Sequence, residues 1–447
     1  MTTKKLSSIA LVALFVLLAD LPAKAQQQFT VAARTLKNGM RVLVQEDHSI
    51  PNVALYIFYR IGARNEHPGT TGLSHFFEHM MFNGAKKYGP GELDKVMEAN
   101  GGSNNAYTTR DVTVYQDWFP RTALPLILDI ETDRIKDLSF DPKKIESERQ
   151  VVASERRLRT DNDNSGLLDE QLWATAYIAH PYQWPVVGWM SDIEHWTVAD
   201  LKHHFEMGYS PNNATVVVAG DVSPEEMFKL CAEYLEPIPT HQPPPPVTTV
   251  EPEQLGERRL VVYKPAELPV LMLAYHISRT DDPDFYALNI LRTVLFQGES
   301  SRMYQRLVDQ EQIALDVSSF TEPAFDPTII EITAQPKQGV DPQRCEKAIY
   351  EELERTKKEA ISDTELAKGK NIRLAEFYRE MQAISGRANA IGTYEVFFGD
   401  YRKLFDAAKN YSRVTRDDVQ RVAKKYFGAN NRTVATLIPE NHEKAKP

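Results

Sequence analysis

Two kinds of hydrophobic pattern follow one another along the chain. Short runs rich in β-branched residues, with apolar side chains at alternate positions, predict strands at RVLVQED, NVALYIFYRI, TVYQDWF and ATVVVAG. Longer stretches with a period of 3.6 residues predict helices at residues 124–136, 142–159 and 199–206. The mixture predicts an α+β fold in which each domain is a mainly antiparallel sheet with helices packed on one face.

A proline-rich stretch, EPIPTHQPPPPVTTVEPEQ at residues 236–254, divides the chain near its middle. Consecutive prolines favour a stiff extended segment and exclude a helix. The chain has 447 residues, which is enough for two hydrophobic cores. We therefore expect a first domain at residues 26–235, a linker at 236–256 and a second domain at 257–447.

The two halves contain the same motifs in the same order. SIPNVALYIFYRIG in the first half matches ELPVLMLAYHIS in the second, which sets Pro51 opposite Pro269. HFEMGYSPNNATVVVAG matches VAKKYFGANNRTVATLIP, which sets Asn212 opposite Asn430, and both pairs are 218 residues apart. The shared spacing indicates two homologous domains that arose by duplication.

The chain begins with MTTKKLSSIALVALFVLLADLPAKA, which combines two lysines, an apolar run and a final Ala-Lys-Ala. This pattern is typical of a secretory signal peptide cleaved after Ala25, so residues 1–25 are expected to be removed. An uncleaved anchor is the weaker alternative, because the apolar run is shorter than the roughly 20 residues that a bilayer requires. No later stretch is long and apolar enough to predict a transmembrane anchor.

Composition limits the class of partner and the use of cysteine. The formal net charge is −10 and no basic cluster is present, which argues against a nucleic-acid partner. The two cysteines, Cys231 and Cys345, permit one disulfide but cannot form a thiolate metal site by themselves. A disulfide and two buried free thiols are both compatible with the sequence.

The pentapeptide HFFEH at residues 75–79 carries the candidate chemistry. On a helix, His75 and His79 lie one turn apart on one face, and Glu78 lies about 100° round the axis from His79. Two neutral imidazoles so placed can bind one zinc ion, and a neighbouring glutamate can reach the water that zinc polarises. The order His-x-x-Glu-His is that of the inverted zincins. The alternative is a solvated helix face that binds no metal.

The flanking residues predict the ends and the buried face of this helix. The hydroxyls of Thr70 and Thr71 are expected to cap its start, and Asn83-Gly84 is expected to end it. The two phenylalanines inside the motif are expected to pack in the core.

Catalytic zinc takes a third protein ligand, commonly a carboxylate, and leaves one position for water. The stretch KKIESERQVVASERRLR offers Glu148 and Glu155, which are seven residues apart. On a helix they lie on nearly the same face about 10 Å apart, so only one of them can bind the metal and the other can orient a ligand. The spacing does not decide between them.

At this point the sequence resembles the pitrilysin and insulinase-type zinc metallopeptidases, of which mitochondrial processing peptidase is one branch. The resemblance rests on GLSHFFEHMMFNG, NNAYTTRDVTVYQ, ESERQVVASERR, HPYQWPVVGW and YSPNNATVVVAGDVSPEE, and it covers nearly all of the chain after residue 25. It implies a processing-peptidase-like metallohydrolase fold, a Zn²⁺ cofactor and hydrolysis of peptides or unfolded polypeptides. The signal peptide and the family together imply export, with the bacterial periplasm as the expected location.

The resemblance also implies a role for each site residue. His75 and His79 would bind zinc, and Glu78 would be the general base that activates a zinc-bound water. The family places its last ligand about 75 residues beyond the motif, which corresponds to Glu155 and leaves Glu148 to orient a ligand.

Family members bind peptide as an added strand beside the Asn-Ala of SNNAYTT, here Asn105 and Ala106. Backbone pairing of this kind accepts varied peptide sequences. An equally good interpretation of Asn105 is a turn residue that follows Gly101-Gly102.

One part of the family pattern is missing. Complete enzymes carry an Arg and a Tyr seven residues apart in the second half, which stabilise the oxyanion, whereas this chain has Val308 and Leu315 at the matching positions. Arg306 and Tyr304 are displaced by a few residues and are not assigned the role. The same alignment sets Asn289, Arg292 and Thr293 against the HxxEH residues, so the second half is a degenerate repeat.

These differences predict a heterodimer, in which a homologous pitrilysin-family subunit supplies the Arg and Tyr to this zinc-binding subunit. The competing hypothesis is a non-catalytic peptide-binding or scaffolding homologue in the envelope. The intact His75, Glu78, His79 and Glu155 favour the peptidase.

Overall fold

Two mixed sheets, one in each half of the chain, form the framework. The computed structural model describes residues 29–440, and the expected signal peptide at residues 1–25 lies outside them. The strands, numbered along the chain, are β1 Val31–Thr35, β2 Arg41–Glu46, β3 Asn52–Tyr59, β4 Ser103–Thr108, β5 Thr113–Pro120, β6 Ala214–Gly220, β7 Arg258–Lys264, β8 Val270–His276, β9 Ala314–Phe320, β10 Ile329–Pro336 and β11 Arg432–Pro439. All four strands that the alternating patterns predict are present.

The two sheets have the same topology. Their strand orders are β1-β2-β6-β3-β5-β4 and β7-β11-β8-β10-β9, so that the second repeats the first without β1. In each sheet one pair is parallel, β2 with β6 and β7 with β11, and all other pairs are antiparallel. β4 and β9 are corresponding edge strands.

The matched Asn-Asn motifs make corresponding hydrogen bonds. The Asn213 amide donates to the carbonyls of Arg60 and Gly208, at 3.2 and 2.8 Å. The Asn431 amide donates to the carbonyls of His276 and Tyr426, at 2.9 and 2.6 Å. Each amide therefore joins the end of a helix to the end of a corresponding strand, β3 in the first sheet and β8 in the second. The expected fold of two homologous α+β domains is confirmed.

The helices lie between and after the strands. They are α1 Leu73–Met80, α2 Glu92–Ala99, α3 Leu124–Lys136, α4 Pro142–Arg156, α5 Asn164–Ala176, α6 Met190–His195, α7 Val198–Gly208, α8 Pro224–Tyr234, α9 Phe285–Phe296, α10 Arg302–Tyr304, α11 Pro342–Lys358, α12 Asp363–Glu380, α13 Ile384–Phe397, α14 Lys403–Arg413 and α15 Arg416–Tyr426. The helix predicted at residues 124–136 has those bounds. The one predicted at 142–159 is α-helical to Arg156 and continues as a π-helical turn over Arg157–Asp161. None of these helices is long and apolar enough to cross a membrane.

No helix or strand lies between Tyr234 and Arg258. This segment contains the proline-rich stretch, and its backbone is extended or irregular, as the composition predicts. We propose that residues 236–256 are the link between domains at 26–235 and 257–447.

Each sheet is covered on both faces, and the second cover comes from the other half of the chain. The first sheet packs one face on helices of its own half, including α1 and α3. Its other face packs on α13, through residues such as Phe58 and Ala388. In return, α5 of the first half covers the second sheet through Leu172 and Trp173. The sequence pattern predicts helices on one face and does not show this exchange.

The two cysteines are buried free thiols. Cys231 lies on α8 in the first core and Cys345 lies on α11 in the second core, and they are not bridged. Of the two alternatives that the sequence leaves open, the structure has the unbridged one.

Replacing Gly392 tests the exchanged packing of α13. A Cβ at Gly392 would lie 2.0 Å from the Phe58 ring, which is fully buried. Helix propensity alone would make Gly392→Ala more stable by roughly 1 kcal/mol. Because overpacking typically costs about 1–3 kcal/mol, we expect a lower melting temperature by differential scanning calorimetry.

The control is Gly428→Ala, whose Cβ would meet no described heavy atom within 4 Å and whose φ of −73° suits alanine. Gly428→Ala should leave the melting temperature unchanged. A Gly392→Ala protein as stable as the unsubstituted chain would contradict the close contact.

Candidate active site

Helix α1 holds the HxxEH motif between the core and an open cleft. Phe76 and Phe77 are fully buried, as predicted, and they anchor the helix against the first core. His75, Glu78 and His79 occupy the remaining surface and are partly exposed. The motif is thus not a solvated helix face, because its apolar half is buried throughout.

The start of α1 is capped in a different way from the sequence expectation. The N-cap is Gly72, at φ 89°, and no hydroxyl caps the helix. Instead the buried carboxylate of Glu66 accepts hydrogen bonds from the amides of Gly72 and Ser74, at 2.6 and 2.7 Å. The Thr71 hydroxyl donates to Asp192 at 2.6 Å, so the predicted threonine cap is wrong. Burial raises the pKa of Glu66 to about 7, against the effect of the two amide donors.

Helix α4 brings both candidate carboxylates to α1. Asp141 caps its start by accepting from the Lys143 amide at 2.9 Å, and Pro142 occupies the first turn. Glu155, near the end of α4, points between the two histidines. Glu148 reaches the outer side of His79.

Three ligand atoms converge in front of α1. Glu155 Oε2 lies 3.6 Å from His75 Nε2 and 3.3 Å from His79 Nε2. All three atoms lie within 4.8 Å of one another, and this is the one such His, Cys, Asp or Glu group within residues 29–440. Ligand atoms about 2.0–2.2 Å from a tetrahedral zinc ion are themselves roughly 3.3–3.6 Å apart. The donor set and its spacing therefore fit zinc.

The environment prepares these side chains to bind a cation. Burial, followed by the charge of His79, lowers the pKa of His75 to about 4, so that its lone pair is available at neutral pH. The hydrogen bond with His79 lowers the pKa of Glu155 to about 2. Burial lowers the pKa of His79, but hydrogen bonds with Glu148 and Glu155 outweigh it and raise this pKa to about 9. A metal ion at Nε2 would take the place of that proton.

Glu148 orients His79 from behind. Its Oε1 lies 2.8 Å from His79 Nδ1, and its Oε2 accepts from the Asn83 amide at 2.6 Å. A carboxylate on Nδ1 fixes the ring orientation and directs Nε2 towards the metal position. His75 differs, because its buried Nδ1 has no hydrogen-bond partner in the described chain.

Glu78 lies beside the three ligand atoms and is held by one strand residue. The Thr108 hydroxyl donates to Glu78 Oε2 at 2.6 Å. Burial raises the pKa of Glu78, and the Thr108 hydrogen bond opposes that shift. A carboxylate with a raised pKa next to a metal position is suited to accept and return a proton.

Comparison with known proteins agrees with this geometry. The family model described as Insulinase (Peptidase family M16) matches residues 41–188, and that described as Peptidase M16 inactive domain matches residues 195–373. The zinc protease PqqE of Helicobacter pylori is 32% identical over 409 residues, which is 91% of this chain and 92% of that protein. This chain belongs to peptidase family M16. The resemblance to the pitrilysin and insulinase-type zinc peptidases is therefore confirmed.

Solved structures show the same M16 fold. A protease from Helicobacter pylori superposes with a TM-score of 0.89 at 31% identity, covering 92% of this chain and 100% of that chain. The periplasmic protease PqqL from Escherichia coli superposes with a TM-score of 0.75 at 18% identity, covering 92% of this chain and 48% of that chain. At that identity PqqL supports the fold alone, and its chain is about twice the length of the matched region.

The M16 site opens on a cleft of about 720 Å³, and all the residues that line it belong to the first half of the chain. It is lined by His75, Glu78, His79, Asn105, Ala106, Tyr107, Thr108, Arg110, Glu155, Arg159, Thr160, Gly166, Asp169, Glu170, Trp173, Pro185, Val186 and Val187. Asn105 and Ala106 are strand residues on β4 and pair with Gln116 and Tyr115 of β5. Asn105 is therefore not a turn residue. Within residues 29–440 no strand pairs with the other side of β4, which leaves a free edge next to the cleft.

The positions of the missing Arg and Tyr do not face this cleft. Val308 lies in a π-helical turn over Gln305–Gln310 and packs against the second core. Leu315 is half exposed on β9. Arg306 forms ion pairs with Glu311 and Glu351, and none of these side chains lines the cleft.

The second half, as far as the structure describes it, has no corresponding group of metal ligands. On α9, the Asn289 amide donates to Phe285 O and the Thr293 hydroxyl donates to Asn289 O, so both side chains bond to their own helix. Arg292 donates to Ser319 O on edge strand β9 at 3.3 Å. These are structural contacts, in agreement with the family model described as an inactive domain.

Three contributors to the site are absent from the sequence prediction. Glu66 and Thr108 fix α1 and Glu78, and Arg159 forms an ion pair with Glu155 Oε1 at 3.1 Å. Thr108 could be predicted from the strand pattern, since it lies two residues beyond Ala106 and therefore on the same face of the strand. Glu66 could not be predicted in this way, because six and eight residues separate it from the two amides that it caps.

Substituting Glu148 and Glu155 on α4 should distinguish the residue that binds the metal from the residue that orients His79. Glu155→Gln should abolish stoichiometric zinc, because it removes a charged ligand. Glu148→Gln should weaken zinc binding by about 10- to 100-fold, because it loosens the hold on His79. Competition titration with a chromogenic chelator measures both effects.

Glu146→Gln is the matched control, since Glu146 lies on the same helix with its side chain 62% exposed. It should bind zinc like the unsubstituted chain. Equal affinities for the Glu146 and Glu155 variants would contradict the proposed ligand set.

Proposed function

We propose that this M16 chain is the zinc-binding subunit of an exported metalloendopeptidase that hydrolyses peptides or unfolded polypeptides. The observation that carries the proposal is the convergence of His75, His79 and Glu155 beside the partly buried carboxylate of Glu78. In this proposal His75, His79 and Glu155 hold Zn²⁺ and Glu148 orients His79.

The chain's own residues account for the proton transfers. A zinc ion held here would supply Lewis-acid polarisation of the substrate carbonyl and would make a water molecule more acidic. Glu78 accepts a proton from the attacking water and returns it to the amine that leaves. Its raised pKa brings it closer to the working pH of such an acid–base residue.

The substrate peptide is proposed to add to the free edge of β4 at Asn105 and Ala106. Both residues line the cleft, and the edge offers backbone groups that no strand in the described chain occupies. A peptide paired there is bound through its backbone, so varied sequences are accepted and an extended conformation is required.

The proposed location is the bacterial periplasm. The signal peptide predicted at residues 1–25 and the printed description of PqqL as a periplasmic protease support it. None of the described helices could cross a membrane.

We also propose that activity requires a homologous partner that provides the Arg and Tyr. In this chain the corresponding residues are Val308 and Leu315, and neither side chain can donate a hydrogen bond. The match of this chain to 48% of PqqL is consistent with a working unit of two such parts. A homodimer would not supply the pair, because both copies lack it.

Glu78→Gln separates the general base from the metal site. We expect the variant to bind zinc as tightly as the unsubstituted chain and to lose hydrolysis of a quenched, unstructured peptide by about 100-fold or more. Zinc content is measured by mass spectrometry alongside turnover. Persistent hydrolysis by a variant with full zinc would show that Glu78 is not the base.

Partner dependence is tested with residues 26–447 loaded with zinc. Alone, the chain is expected to turn over the peptide on the order of 100-fold more slowly than with a homologous M16 subunit that carries the Arg and Tyr, because an oxyanion donor is worth about that factor. A partner with both residues changed to Ala is the control. Equal rates with and without the partner would refute the requirement, and no hydrolysis in any mixture would favour the non-catalytic peptide-binding protein.

A further inference from the structure

The base candidate has one side-chain donor within the described residues. Thr108 Oγ1 lies 2.6 Å from Glu78 Oε2, a length typical of a hydrogen bond to a carboxylate. No other described side chain donates to Glu78, so Oε1 is left to face the cleft that Glu78 lines. One hydroxyl therefore selects one orientation of the carboxylate.

The alternation of β4 directs Thr108 to α1. Side chains at alternate positions of a strand share a face. Ala106 packs against the first core, which contains α1 residues. Tyr107 lies on the opposite face and packs with residues of α13, where its hydroxyl is 3.5 Å from the amide oxygen of Asn389. Thr108 therefore shares the α1 face with Ala106, and β4 is supported from behind by the second half.

The chain beyond Thr108 is fixed to the second half by ionic and amide contacts. Arg110 pairs with Glu322 at 2.8 Å, and its guanidinium stacks 3.3 Å above the Trp173 ring. Asp111 accepts from the Phe325 amide at 2.9 Å. Both Arg110 and Asp111 are buried. Thr108 thus lies between an anchored segment and the free edge at Asn105 and Ala106.

We propose that Thr108 is a positioning residue that aligns Glu78 with a peptide bound on the same strand. The edge of β4 places the scissile bond, and the hydroxyl of Thr108 places the base relative to that edge. The two positions are coupled because they are two residues apart on one rigid strand. This inference rests on the proposed peptidase function and adds a determinant of its geometry.

The alternative to a positioning role is that the hydrogen bond between Thr108 and Glu78 only stabilises the packing of α1 against β4. In the second half, Arg292 of α9 donates to Ser319 O of β9, so a contact between helix and edge strand exists there without a metal group. Such a contact would support packing in both halves. A positioning role predicts dependence on the hydroxyl and not on the volume of the side chain.

The test compares Thr108→Val, which keeps the shape and removes the hydroxyl, with Thr108→Ser, which keeps the hydroxyl. In the zinc-loaded chain with its partner, Thr108→Val should lower kcat by about 10- to 100-fold with KM and zinc affinity within twofold, since a misplaced catalytic group costs up to that factor. Thr108→Ser should restore kcat. Crystal structures of both variants should show Glu78 reoriented in Thr108→Val and unchanged in Thr108→Ser.

The inference is overturned if Glu78 keeps its orientation in Thr108→Val, if that variant retains full kcat, or if the Ser and Val variants lose activity equally. If the unsubstituted chain hydrolyses nothing with any partner, the peptidase proposal fails instead. The orientation of Glu78 in the two crystal structures then decides the role of Thr108 by itself.

Discussion

Burial of the second face of each sheet under a helix from the other half is the constraint on which the site depends. A sheet with one apolar face exposed would leave a large hydrophobic patch in water. Helix α13 of the second half covers this face of the first sheet, and helix α5 of the first half covers that of the second sheet. Glu155 lies at the end of α4, and only the π-helical turn and a short loop separate α4 from α5. The chain that carries the third ligand candidate is therefore held in place by its packing on the second sheet.

The π-helical turn over Arg157–Asp161 allows the chain to pass from α4, which packs in the first core, to α5, which packs on the second sheet. Such turns occur frequently at functional sites, where they change the direction of side chains. Here the carbonyl of Arg159 would lie 1.9 Å from a Cβ at Gly166, so α5 can begin against the turn only because residue 166 is glycine. Buried Arg156 adds a charged anchor, since it pairs with Glu170 of α5 at 2.8 Å. The ligand helix and the exchanged helix are thus one rigid unit.

The sequence predicts the parts of this site that depend on local spacing. His75 and His79 share a helix face, and Glu148 and Glu155 share another, because both intervals are fixed by the helical repeat. The buried Phe76 and Phe77 follow from the same pattern. Contacts between segments that are distant in the sequence do not follow from local spacing. An amphipathic pattern shows that α5 buries one face, but it does not identify the second sheet as the surface that receives it. The Glu66 cap likewise depends on a loop that folds back, which no local capping rule describes.

The charges that line the cleft bear on where an oxyanion donor could come from. Arg110 and Arg159 are the two arginines among the lining residues. Arg110 is buried, paired with Glu322 and stacked on Trp173, so turning it towards a substrate would leave the partly buried carboxylate of Glu322 without its partner. Arg159 is 76% exposed and its pair with Glu155 is weak, because solvent screens exposed ion pairs. Of these two arginines, Arg159 could therefore approach an oxygen of a bound peptide at the lower cost. It supplies a guanidinium but no phenol, so it would replace at most half of the missing Arg and Tyr pair.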